Sequence, residues 1–341
     1  MTLILTQSEI RTLLPMDACM DLVAQALAKL TRDEAVNPLR SAVWLPDRSG
    51  LLGLMPGFVS EPAAFGLKVV GVFPGNHGTP LDSHQGIVAL FDDKTGVPTA
   101  VLEASEITAI RTAAASGVAT RLLAREDATV LALIGSGVQA GTHLAAMIEA
   151  RAISQVHVFS PNSANRAAFA KREEARHGLP IEAVDSARAA IEGAGIVCTV
   201  TSSHQPVLMG EWLKPGTHVN AAGASIALAR ELDTEAVKRS RLFVDRREST
   251  LNEAGDFLIP QAEGALGEEH ILGELGELVL GRIEGRRSDD EITLFKSLGL
   301  AVEDLVTARY VVRRAQEQGL GTTVDLIGMK PGIEPDARDA R

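Results

Sequence analysis

The sequence predicts an α/β protein whose centre is a doubly wound, Rossmann-type unit. Three observations carry this expectation. From residue 129 onward, apolar strand-like runs alternate with helical segments. The first of these runs ends in a glycine-rich turn, Gly135-Ser136-Gly137-Val138-Gln139-Ala140. Before it, over residues 40–102, short β-rich runs are separated by turn residues instead of helices.

Taken in order, the segment from Met16 to Leu30 has helical spacing, with Leu22, Val23, Ala26, Leu27 and Leu30 recurring on one face. The runs Ala42–Leu45, Leu67–Phe73 and Gly86–Phe91 predict strands of an antiparallel or mixed sheet. Pro74-Gly75-Asn76 and residues 92–96 supply turns. A helix of small residues is expected from Ile107 to Ala124, and its Ala113–Gly117 stretch lets another backbone come close. Thr129–Ile134 is a continuous apolar run, as a buried parallel strand requires. Further strands are expected at Gln155–Phe159, Ile196–Val200, His218–Ala221 and Arg241–Val244, with a helix from Arg166 to His177. The acid-rich stretch 263–277 reads as a solvated helix. A helix from about Leu294 to Gln318 and a Gly/Pro/charge-rich tail at 331–341 close the chain.

Composition narrows the function. The 341 residues are 45% hydrophobic and 23% charged, in the ordinary range for a folded globular protein. A net charge of −11 and only 4% aromatic residues argue against nucleic acid as a partner, which needs basic surface and stacking rings. Cys19 and Cys198 lie far apart, with neither metal spacing nor a disulfide framework, so a reducing cytoplasm is the expected compartment. The first residues carry no signal-peptide pattern, and no apolar run approaches the roughly 18 residues of a membrane span. His77, His84, His143 and His204 have no metal-ligand spacing, so no metal is expected.

The glycine turn carries the chemistry. Following a buried strand and opening a helix, Gly135 permits the tight turn and Gly137 lets backbone approach a pyrophosphate. Ala140 is the third small position, and the helix start at Ser136, Val138 and Gln139 offers N–H groups to phosphate. The second strand of such a unit ends in an acid when it binds an unmodified ribose. Here it runs Phe159-Ser160-Pro161-Asn162, with Arg166 close behind and no carboxylate. Ser160, Asn162 and Arg166 therefore point to a 2′-phosphate and to NADPH, with NADH as the second choice. The other reading makes these residues caps of the next helix.

Three basic residues stand outside the unit. Lys68 interrupts an apolar run, so it either faces solvent at an edge or is buried against an anion. Arg111, early in its expected helix, opposes the helix dipole unless an anion or Glu103 or Glu106 lies nearby. Arg40 by itself reads as a surface charge.

Several motifs in order resemble the ornithine cyclodeaminase/mu-crystallin family. They are Gly66–Val69, Thr108–Ser116, the glycine loop, Val219–Ser225 with Arg230–Asp233, and Thr293–Asp304. The resemblance implies a Rossmann domain (residues 121–299) inserted into an α+β substrate-binding and dimerisation domain (1–120 plus 300–330). It also implies a homodimer. It implies that Arg40, Lys68 and Arg111 surround a substrate carboxylate, with Thr112 near the cofactor. Cyclodeaminases of the family carry Asp where this chain has Ser225, and ketimine reductases carry Ser. The expectation is therefore an NAD(P)H-dependent reductase of small cyclic imino acids, Δ1-pyrroline-2-carboxylate or Δ1-piperideine-2-carboxylate. The alternatives are a cyclodeaminase-type lyase, an alanine dehydrogenase, or an NADPH-binding protein without catalysis.

Overall fold

The computed structural model describes residues 1–76 and 78–331. The chain begins β1 (Thr2–Leu5), α1 (Gln7–Leu13), α2 (Met16–Thr31), β2 (Ala35–Val36), β3 (Ser41–Trp44), β4 (Leu51–Val59), β5 (Ala64–Val72), β6 (His84–Phe91), β7 (Pro98–Glu103) and α3 (Ala104–Leu123). It continues β8 (Val130–Ile134), α4 (Val138–Ala150), β9 (Gln155–Phe159), α5 (Ser163–His177), β10 (Ile181–Ala183), α6 (Ala187–Ile191), β11 (Ile196–Thr199) and β12 (His218–Ala221). It ends α7 (Thr234–Lys238), β13 (Arg241–Val244), α8 (Arg247–Glu253), α9 (Gly255–Ala262), β14 (Ile271–Glu274), α10 (Leu275–Val279), β15 (Thr293–Lys296), α11 (Ala301–Gln318) and β16 (Thr322–Val324).

Two compact units share these elements. The first takes Met1–Pro15, Arg32–Thr108 and Ala301–Arg341; the second takes Met16–Thr31 and Ala109–Leu300. The expected boundaries were 120/121 and 299/300. The first falls earlier, at Thr108, and α2 counts with the second unit because it packs on α10 and α4.

Among its described residues the first unit holds one mixed sheet, in the order β16-β1-β7-β6-β5-β4-β2, with β3 also on β4. β4, β5, β6 and β7 form an antiparallel meander, and β1 joins β7 in parallel. Alternation decides its two faces. On β5, Ala64, Gly66, Lys68 and Val70 point inward, and α11 packs on β4, β5 and β6. At Gly57 a Cβ would lie 3.2 Å from Ala301 and Leu305 of α11, so glycine permits the close helix–sheet approach.

The second unit is a Rossmann-type fold. Its sheet is parallel throughout, in the order β10-β9-β8-β11-β12-β15-β13-β14. Order reverses between β8 and β11, the switch point at which ligands bind in open α/β sheets. Core side chains fill both faces. Leu131, Leu133, Val156 and Cys198 pack on one side, and Ala132, Ile134, Val197 and Val219 on the other.

Two expectations need correction. The segment Leu294–Gln318 is not one helix. Residues 293–296 form β15, buried between β12 and β13; Gly299 has φ +79°, and α11 starts at Ala301. A short fully buried run looks alike as strand or helix in sequence. The stretch 263–277 is likewise no single helix, since Ile271–Glu274 pairs with β13 and α10 follows. The reading of His77 and most of the tail lies outside the described residues.

Candidate active site

The glycine turn lies where β8 gives way to α4, at the switch point. Gly135 has φ +121°, and a Cβ there would sit 2.6 Å from the Val200 carbonyl oxygen that follows β11. No other residue fits. Gly137 caps α4 and has open space where its Cβ would be. The first turn of α4 carries no acid, so its N–H groups face outward without a competing charge. Val138 is exposed beside them. These features fit a dinucleotide pyrophosphate, and Gly135, Ser136, Gly137, Val138 and Gln139 are the residues that would hold it.

The second strand meets this loop directly. Ser160, just past β9, has its hydroxyl 2.8 Å from that of Ser136. Asn162 caps α5 through its side chain, which accepts from Asn165 N at 3.0 Å. Arg166 donates to the Ser160 carbonyl (3.1 Å), pairs with Asp185 and lies over the Phe159 ring. The capping reading thus holds for Asn162, while Arg166 folds back on the strand end.

Behind the loop runs a buried polar chain. His143 Nδ1 donates to the Gln139 carbonyl (2.8 Å), and its Nε2 accepts from Ser116 Oγ at 3.0 Å. Thr120 Oγ1 donates to the Ser116 carbonyl (2.8 Å) and accepts from Asn220 Nδ2 (2.9 Å). His218 lies between Asn220 and Thr293. Burial pushes His143 down to about 4 and His218 to about 3, so both are neutral at physiological pH.

A second buried set shapes the segments after β12 and β15. Glu231 accepts from Thr201 N (2.6 Å), Gly223 N (2.8 Å) and Thr199 Oγ1 (3.0 Å). Lys296 donates to the Ala224 carbonyl (2.5 Å) and pairs with Asp256 at 2.9 Å. Ser225, half-buried, directly follows this doubly held peptide. Asp245 accepts from Leu298 N (2.5 Å) and Gly299 N (2.7 Å), fixing the turn after β15. Burial raises both Asp245 and Glu231, the latter also through Asp256; backbone donors and Lys296 work against this.

Arg111 lies against that turn. It is buried, and a Cβ on Gly299 would fall 2.0 Å from its Nη1. It is the eighth residue of α3, because the helix starts at Ala104. The dipole argument for an anion therefore loses its force. Glu103 accepts from Ser105 N and Glu106 N at the helix start, and Glu106 pairs with Arg11 at 2.7 Å. Thr112 follows, half-buried. The carboxyl ends of one parallel sheet thus bring together the glycine loop, Ser160, Ser225 and the turn that braces Arg111.

Lys68 and Arg40 belong to the first unit. Lys68 is 1% exposed, and its Nζ meets both oxygens of Asp304 on α11, at 3.0 and 2.9 Å. It also donates to Thr108 Oγ1 at 3.3 Å. Burial against an anion, not edge exposure, is the outcome. Arg40 is half-buried just before β3, on a segment tied to α11 by Asn37 Oδ1 accepting from Val302 N at 3.1 Å. Sequence reasoning gave no role to Glu231, Asp245, Asp256, Lys296 or Asp304. Their signal was present, since charges set inside or at the ends of apolar runs must find partners. Among the described residues no cluster of His, Cys, Asp or Glu suits a metal, and no helix is long and apolar enough to cross a membrane.

A family model described as the ornithine cyclodeaminase/mu-crystallin family matches residues 1–319. The structure of Thermococcus litoralis Δ1-pyrroline-2-carboxylate reductase, in complex with NADH and L-proline, superposes with a TM-score of 0.93. It is 41% identical and covers 95% of this chain and 100% of its own. Ketimine reductase mu-crystallin of Mus musculus is 38% identical over 276 residues, 81% of this chain and 84% of its own. An archaeal alanine dehydrogenase dimer with bound NAD superposes with a TM-score of 0.90 at 32% identity, covering 96% of this chain and 99% of its own.

Proposed function

The chain belongs to the ornithine cyclodeaminase/mu-crystallin family, and from that premise we propose that it reduces the C=N bond of small cyclic 2-imino acids. Δ1-Pyrroline-2-carboxylate and Δ1-piperideine-2-carboxylate, giving proline and pipecolate, are the substrates. One observation carries this reading, and a second agrees with it. The Thermococcus reductase, solved with the same class of product, aligns over nearly the whole chain, and the residue after the braced Gly223–Ala224 peptide is the uncharged Ser225.

A dinucleotide whose pyrophosphate is held by the glycine loop would supply hydride to the imine carbon from its nicotinamide. The rest falls to side chains. Arg111, its guanidinium backed by Gly299, clamps the substrate carboxylate bidentately, and Arg40 assists. Orientation of this kind is a large part of rate acceleration. The Lys68–Asp304 pair, neutral overall, tunes the field around the carboxylate without opposing the protonated imine, whose carbon is the stronger electrophile. Ser225 hydrogen-bonds the ring nitrogen. It has no carboxylate to activate a water, which counts against cyclodeaminase chemistry. Thr112, Ser160, Asn162 and Arg166 complete the cofactor contacts, and NADPH is the favoured donor because no acid ends β9.

The protein works as a homodimer in a reducing cytoplasm. The outward face of the first unit's sheet supports the dimer. Leu52 and Phe65 on neighbouring strands and Ile87 beside them are exposed, and Phe58, Phe65 and Phe91 form a row with centroids 6.4 Å apart.

The test is consumption of NADPH and of NADH by purified protein with five- and six-membered cyclic 2-imino acids. Ornithine, and alanine with NAD, are the comparison arms. Imine reduction in clear excess over both supports the reading. Ammonia release from ornithine without net change in the dinucleotide, or faster alanine oxidation, overturns it.

A further inference from the structure

The loop after β10 brings one acid to the end of β9, where a bound dinucleotide would present its ribose. Arg166, on the first turn of α5, is bound on three sides. Its Nη1 donates to the Ser160 carbonyl at 3.1 Å, its Cζ lies over the Phe159 ring 5.8 Å from the centroid, and its Nη2 meets Asp185. The guanidinium side chain is 13% exposed, whereas that of Asp185 is 96% exposed. The Ser160 hydroxyl in turn touches Ser136 of the glycine loop, so this corner adjoins the phosphate cradle.

We propose that Asp185 sets the choice between NADH and NADPH by occupying the Arg166 fork that a ribose 2′-phosphate needs. The inference rests on the dinucleotide reading of the loop. A 2′-phosphate is normally received by an arginine near the end of the second strand. Here that arginine is already engaged by a carboxylate, which repels phosphate and must be displaced. A partner almost wholly in solvent is displaced cheaply, since exposed pairs hold weakly. NADPH therefore binds less tightly than an unengaged Arg166 would allow, which narrows its lead over NADH, and NADH, which asks nothing of Arg166, is unaffected. Two further ties keep the guanidinium in place for the exchange.

The test is direct binding of NADPH and NADH to wild-type protein, Asp185→Asn and Asp185→Ala, followed by cofactor fluorescence. Both variants are expected to tighten NADPH about threefold to fivefold, the worth of an exposed pair, with the NADH Kd held within twofold. An unchanged NADPH Kd overturns the proposal, and so does equal tightening of both cofactors. Weakened NADH binding also overturns it, because Asp185 would then be a ribose ligand. Binding without imine reduction tells against the proposed activity, and the Kd ratio still decides this inference. A wild-type protein that binds neither cofactor overturns both.

Discussion

At the scale of single residues, Gly299 joins two requirements. Its φ of +79° is a left-handed conformation, and its missing Cβ leaves room for the Arg111 guanidinium. Gly299→Ala should therefore act as a partial loss of the carboxylate clamp. The expected outcome is a rise of roughly tenfold in KM for the imino acid, ~1.4 kcal/mol, with the dinucleotide Kd unchanged. Arg111→Ala should move steady-state kinetics in the same direction and further; unaltered KM in both variants would reject the clamp. The buried histidines give a pH dependence. His143 titrates near 4 and His218 near 3 in the fold, against 6.5 for the free side chain. As pH falls below 6.5 the unfolded chain takes up protons that the folded one refuses. Their contribution is thus complete above pH 6.5 and is lost on acidification, by about 1.4 kcal/mol per pH unit for each histidine. Glu231 and Asp245, raised by burial, hold their protons to higher pH in the fold and so blunt this slope. Urea unfolding at pH 7 and pH 5 should show a smaller loss for His143→Gln than for wild type, and equal losses would contradict the assignment. How much of this was legible beforehand differs by residue. The glycine loop could be read because its requirements are local. Lys68 could not be decided from spacing, because the acid that explains it lies 236 residues away. Gly299 gave no sign, because its meaning depends on which side chain fills the space above it.

At the scale of elements, the outer face of β4, β5 and β6 is the feature with the plainest consequence. Alternation puts Leu52, Phe65 and Ile87 outward on adjacent strands. Apolar surface of this kind on a sheet face calls for cover. Phe65→Asp should therefore yield a monomer in sedimentation or light scattering, with the far-ultraviolet spectrum kept. A variant that remains dimeric would remove this face from the proposed interface. Strand legibility followed the same physics. β5 and β6 were found within a few residues because their β-rich runs are bounded by turn residues. β15 was missed because it is buried on both faces and its apolar run leads straight towards α11.

At the scale of the whole molecule, each unit has its own sheet, and the glycine loop, Ser160, Asn162 and Arg166 of the second lie within one contiguous stretch from β8 to α5. Ligand that binds only the folded state stabilises it by mass action. NADPH at one hundred times its Kd should add about 2.7 kcal/mol, a rise in Tm of roughly 6 °C for a unit of this size, read by calorimetry. No shift at saturation would reject the site on the glycine loop. Most of this architecture was readable from the alternation of strands and helices after residue 129. The placement of α2 was not, because its partners α4 and α10 are distant in sequence.

The Lys68–Asp304 pair has a consequence in time. On the ribosome, Lys68 is made first, and 236 residues must follow before its counter-charge exists. At ordinary rates of synthesis, that interval is on the order of ten to fifty seconds. Throughout it the meander of β4 to β7 has neither α11 to cover its inner face nor an acid to neutralise its lysine. The second unit is itself complete only at Leu300, four residues before Asp304, so both units receive their last pieces together at the end of synthesis. The residue proposed to tune the imine is thus among the last to be set in place.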